Sequence, residues 1–107
     1  MALVFELYPD EPYDDFYVED IRVQLVDIRH EFNYRLKVYK PALNTVHEIT
    51  DQRAEEILPG VRVSAGDKAD IERHGVKVVI EAPRRIRVDR GTVYRQRKAE
   101  RGGNAAS

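Results

Sequence analysis

One hundred and seven residues carry 18 Lys plus Arg against 19 Asp plus Glu, a net charge of −1, with 42% hydrophobic residues and a mean hydropathy of −0.58. That is the composition of one small soluble domain. No apolar run approaches the roughly 18 residues of a membrane span, and the start Met1-Ala2-Leu3-Val4-Phe5-Glu6-Leu7 does not read as a secretory signal, because it lacks a basic segment and soon turns acidic. The absence of cysteine excludes disulfides, thiolate nucleophiles and Cys-ligated zinc, and fits the cytoplasm, the expected location.

In chain order, residues 3–8 read as a short strand stopped by Pro9 and Pro12, which remove backbone donors. Ile21, Val23 and Leu25 alternate with polar neighbours, so residues 17–28 form a strand with one apolar face. Phe32, Tyr34, Leu36 and Val38 repeat the pattern, and the intervening Arg29-His30-Glu31 makes the two runs an antiparallel hairpin that ends before Pro41. Residues 45–49 are a weaker strand. The period then changes: Thr50 or Asp51 can cap a two-turn helix through Gln52–Leu58, closed by Pro59-Gly60. Residues 61–64, a turn at Gly66-Asp67, a short piece near residues 69–72 and a turn at Gly75 follow. Residues 76–80 are the strongest strand, dense in β-branched side chains. After Pro83, Ile86 and Val88 alternate with Arg85, Arg87 and Asp89 in a last strand, residues 92–101 form a basic helix, and 102–107 have the composition of a disordered tail. A similar order of elements on either side of Pro59 makes the chain read as a tandem repeat, 1–58 and 59–101, packed as one unit.

The net charge conceals a division. Residues 1–58 hold 13 acids against 6 bases, a net of −7, and residues 59–107 hold 12 bases against 6 acids, a net of +6. The first 20 residues contain seven acids and no base, whereas Arg84, Arg85, Arg87, Arg90, Arg95, Arg97, Lys98 and Arg101 crowd the end of the chain. Such asymmetry raises the prior for a polyanion partner, although solvated surface charge is the commoner reason for a basic run.

The stretch from Val76 to Tyr94, with Ala82-Pro83, Ile86, Val88, Arg90, Val93 and Tyr94 at matching positions, resembles the CsrA/RsmA (carbon storage regulator) family of bacterial translational regulators. Residues 18–29, and Tyr34 to Pro41, resemble the same family more faintly. In that alignment Val46-His47-Glu48 matches the last strand, with Glu48 in place of the contact arginine. The resemblance implies an intertwined antiparallel β-sandwich with a C-terminal helix, built in the family from two chains. Here it would be a homodimer or a pseudo-dimer within one chain. It also implies that residues 3–8 pair with residues 85–90, and that GGA-containing RNA lies against those two strands with Arg90 as the main contact. Arg84, Arg85, Ile86, Arg87, Val88, Leu3 and Val4 complete the expected RNA-binding set. Asp89, Glu6 and Gly91-Thr92 depart from the family pattern.

Arginine suits such a role because its planar fork pairs with phosphate or a guanine edge and stacks on an unpaired base. The bland alternative is that the arginines only keep an edge strand soluble. Tyr8, Tyr13, Phe16 and Tyr17 are read as staples for the acidic segment before they are read as base-stacking platforms. His30, His47 and His74 lack metal-ligand spacing. The pairs Asp14-Asp15 and Glu55-Glu56 have no nucleophile or phosphate loop beside them, so no enzymatic role and no cofactor is expected. The expected function is translational regulation by occluding an mRNA leader or sequestering a small RNA. The alternative is an RNA-binding-defective antagonist of a CsrA/RsmA-type regulator, acting by protein contact.

Overall fold

The computed structural model describes residues 2–10, 12–30, 32–66 and 75–106. The fold is mainly β: β1 (Ala2–Leu7), β2 (Asp15–Val18), β3 (Ile21–His30), β4 (Asn33–Val38), β5 (Thr45–Thr50), β6 (Glu55–Leu58), β7 (Val61–Ala65), β8 (Val76–Glu81) and β9 (Val88–Arg90), followed by α1 (Gly91–Ala106). The strands form two antiparallel sheets, ordered β1-β8-β7-β6 and β5-β4-β3-β2-β9. No described helix is long and apolar enough to cross a membrane.

The inward positions of both sheets meet in one core. Phe16, Val23, Tyr34, Leu36, Val38 and Ile49 come from the five-stranded sheet, and Leu7, Ile57, Val61, Val63, Val78 and Ile80 from the four-stranded one; each is at most 2% exposed. These are the alternate residues of their strands, as period-2 burial demands. Phe5 of one sheet meets Phe16 of the other edge to face at 5.9 Å, and the Tyr34 hydroxyl donates to the Lys77 carbonyl at 3.3 Å. The hairpin expected across residues 29–31 is present as β3–β4, and the weak strand at 45–49 is β5.

The chain crosses between the sheets at both ends. β1 pairs with β8, Ala2 opposite Glu81 and Leu7 opposite Val76. β9 leaves that sheet and pairs with β2, Phe16 opposite Arg90 and Val18 opposite Val88. The pairing expected between residues 3–8 and 85–90 is therefore absent, because each strand is hydrogen-bonded to a partner in a different sheet.

Four other expectations are corrected. The strand expected over 17–28 is two strands, β2 and β3, divided by a turn at Glu19-Asp20, where Glu19 takes φ 54°. The two-turn helix expected over 52–58 is β6: Leu58 faces Val61 across the hairpin, and Pro59-Gly60 is the turn between them, with Gly60 at φ 78° as the third position of a type II turn requires. Tertiary burial of Ile57, 1% exposed, overrides the helical propensity of Ala54-Glu55-Glu56. Residues 84–87 form a turn, with the Ile86 amide donating to the Pro83 carbonyl at 3.0 Å, and strand geometry starts only at Val88. α1 extends to Ala106 and so takes in residues 102–106, which composition assigned to a tail. The turn at Asp67 and the piece at 69–72 lie outside the described residues.

The registers relate the two sheets. Leu3, Phe5 and Leu7 face Ile80, Val78 and Val76 as Thr45, His47 and Ile49 face Val38, Leu36 and Tyr34. Val23 and Leu25 face Val38 and Leu36 as Val63 and Ala65 face Ile80 and Val78. β5 is thus the counterpart of β1 in register. Glu48 is accordingly the counterpart of Glu6, not of Arg90.

Candidate functional site

Two acids buried in an otherwise apolar core organise the end of the chain. Asp14 and Asp15 are 1% and 2% exposed, which their charge permits only with partners. Asp14 accepts from the Gln24 side-chain amide at 2.6 Å and lies 3.5 Å from Arg22. Asp15 Oδ2 accepts from Arg22 Nε at 2.6 Å and from Arg95 Nη1 at 2.7 Å. The hydrogen bond from Asp15 raises the Arg95 guanidinium above its ordinary pKa, against the opposing effect of burial. Arg95 Nη2 also donates to the Pro12 carbonyl at 2.9 Å.

Glu19 and Asp20 are engaged by β9 and α1 as well. The Glu19 amide donates to the Arg87 carbonyl at 2.8 Å, and the Arg87 amide donates to Glu19 Oε1 at 2.9 Å. The Tyr94 hydroxyl donates to Asp20 at 2.9 Å, and its ring stacks on Tyr17 with centroids 3.8 Å apart and planes 8° from parallel. One ion pair, Arg95–Asp15, joins the two halves here, and the hydrogen bonds of Glu19 and Asp20 and the Tyr17–Tyr94 stack complete the docking of α1 and β9 on β2.

Gly91 permits that docking. A Cβ at this position would stand 1.7 Å from Asp15 Oδ1, so only glycine allows the carboxylate this close to the first turn of α1, where its negative charge also suits the helix dipole. Gly91→Ala is expected to destabilise the fold by about 1–3 kcal/mol, the range for an overpacked interior. A lower melting temperature with weakened near-ultraviolet tyrosine dichroism is the measurement.

The expected RNA-binding residues divide into three groups. Arg87 is held by Asp89 at 3.0 Å, and the same carboxylate pairs with Arg97 of α1, outside that set, at 3.1–3.2 Å, so Asp89, read as a departure from the family pattern, is shared by two cations of the basic cluster. Leu3, Ile86 and Val88 are half-buried against the core, and their side chains are packing groups. Arg84, Arg85, Arg90 and the β1 residue Val4 are exposed, and no carboxylate partner holds these three arginines among the described residues. Lys98 lies 5.8 Å from the Tyr94 ring.

Arg90 ends β9 and sits over the Phe5 ring of β1, 5.4 Å from its centroid. The first and last strands therefore meet after all, by side-chain contact between the terminal strands of the two sheets rather than by hydrogen bonds. Between them lies a groove of 170 Å³ lined by Glu6, Tyr8, Tyr13, Asp15, Arg90 and Thr92, among other residues. Of the aromatic cluster, Phe16 is core, Tyr17 is stacked on α1, and Tyr13, 59% exposed, and the half-buried Tyr8 face this groove. It offers one cation, two carboxylates and two aromatic rings. His47 accepts or donates a 3.0 Å hydrogen bond with Thr45 and lies 3.7 Å from Glu55, a strand-side contact. His74 lies outside the described residues.

Sequence reasoning missed the role of Asp14, Asp15 and Gly91. An acidic pair inside an alternating apolar run (Phe16, Val18) was the available signal. Comparison with family models, with curated proteins and with solved structures finds no match.

Proposed function

We infer that this chain binds single-stranded RNA in the groove between β1 and β9 and acts as a translational regulator of the CsrA/RsmA kind, by occlusion and without chemistry. The observation that carries this reading is Arg90, an exposed arginine with no carboxylate partner among the described residues, set at the strand–helix junction over Phe5 and beside Tyr8 and Tyr13. A cation flanked by aromatic rings suits an unpaired base and its phosphate. The exchange of β1 and β9 between sheets supports a pseudo-dimer of the intertwined sandwich type, with Arg84 and Arg85 adding a sequence-independent field.

A GGA-containing hairpin is expected to bind at low salt, with Arg90→Ala weakening binding by about 1–3 kcal/mol. Mobility-shift titration decides it: no binding, or equal binding by the variant, defeats the reading. A second reading, antagonism of such a regulator by protein contact, is favoured by the pairing of Arg87, Arg95 and Arg97 with internal carboxylates and by Glu6 beside Arg90.

A further inference from the structure

The two sheets are built on one plan but end differently. β6 is the counterpart of β2: Leu58 faces Val61 at the hairpin end as Val18 faces Ile21. In the five-stranded sheet the outer edge of β2 is covered by β9 and then by α1. In the four-stranded sheet β6 is the last strand among the described residues, paired only with β7.

A groove lies beside each edge. Glu6, Tyr8 and Asp15 line the first, together with Arg90, Gly91 and Thr92. Glu48, Thr50 and Glu55 line the second, with no residue of β9 or α1. The first has a volume of 170 Å³ and the second 360 Å³, more than twice as large.

We propose that the outer edge of β6 docks a basic strand–helix segment of a partner protein, patterned like residues 86–98 of this chain. An extended segment entering there adds a fifth strand through main-chain hydrogen bonds, and the cations of its helix meet the exposed acids of this edge. The charge of the edge selects this occupant. Glu48 and Glu56 are exposed, and the Glu55 side chain, 36% exposed, has among the described residues only loose cationic neighbours: His47 at 3.7 Å and the 81% exposed Arg53 at 3.8 Å. A second copy meeting edge to edge would oppose these acids to one another, which is destabilising. RNA binding at Arg90, in the other groove, does not depend on this edge.

The probe is a labelled synthetic peptide of residues 84–100, titrated with the whole chain by fluorescence anisotropy. Saturable binding is expected, weakened at least about tenfold in the Glu55→Lys, Glu56→Lys double variant and reduced by salt. Should that variant fail to fold, Glu55→Gln with Glu56→Gln removes the charge without reversing it and must also weaken binding. No saturable binding, or binding that neither pair of substitutions changes, overturns the proposal. So does self-association of the chain alone that the substitutions abolish, since the edge then belongs to a second copy.

Discussion

Cut after Leu58, the chain is expected to give two fragments that are each unfolded alone and that regain the native circular dichroism spectrum when mixed. Residues 1–58 keep β1 through β6 but lose β8, on which β1 is paired, and β9, which covers β2. They also lose β7, to which β6 is joined. What is left is the meander β2–β5 with its inner face open to water: Phe16, Tyr34, Leu36 and Ile49 lose the Val63, Val78 and Ile80 side of the core. Burying a side chain of this size is worth about 1.5–3 kcal/mol, so exposing several exceeds the whole stability of a small domain, about 5–15 kcal/mol. Residues 59–107 fare worse, with β7 and β8 as the only paired strands among the described residues. Autonomous folding of either fragment, with a cooperative melt of its own, contradicts a shared core.

The second large effect is placed on Asp15. Asp15→Ala removes a fully buried carboxylate whose Oδ2 holds Arg22 at 2.6 Å and Arg95 at 2.7 Å. Breaking a buried ion pair from one side costs about 3–5 kcal/mol. The lower end applies, because the arginine side chains are 24% and 39% exposed and water can take over part of their solvation. Urea titration should show a lower midpoint with an unchanged slope, the mark of altered stability without altered compactness. An effect below about 1 kcal/mol, the ordinary worth of a surface pair, would mean that α1 is held by the Tyr17–Tyr94 stack and not by this carboxylate.

The local pattern was legible where it was dense. The alternation Ile21-Val23-Leu25 and Tyr34-Leu36-Val38 marked a hairpin, the β-branched run 76–80 marked a central strand, and Gly91 onward marked a helix, because burial on one face leaves a period in the sequence. β6 was hidden for two reasons. Four residues are too few to show a period, and Pro59-Gly60 serves equally as a helix stop and as a hairpin turn. The partners of β1 and β9 were hidden in a different way, since pairing between distant strands leaves no local trace. The same gap misplaced Glu48: sequence aligned it with the contact arginine of a last strand, whereas the β5–β4 register makes it the counterpart of Glu6. At the site, the arginines were visible as charge, but which of them are paired depends on Asp15 and Asp89, and that is decided only by folding.

The crossing of β1 has a cost during synthesis. Ala2 to Leu7 leave the ribosome well before their ladder partners, Glu81 to Val76. Until then an apolar strand with both edges open must wait, with Val4 and the rings around it free to pair with any passing extended segment. Contacts this distant in sequence also slow folding once the chain is complete. The adjacent Asp10, Asp14 and Asp15, with no base before Arg22, set like charges beside the waiting strand, and Asp14 and Asp15 take up first Arg22 of β3 and then, at Asp15, Arg95 of α1 as those elements join the fold.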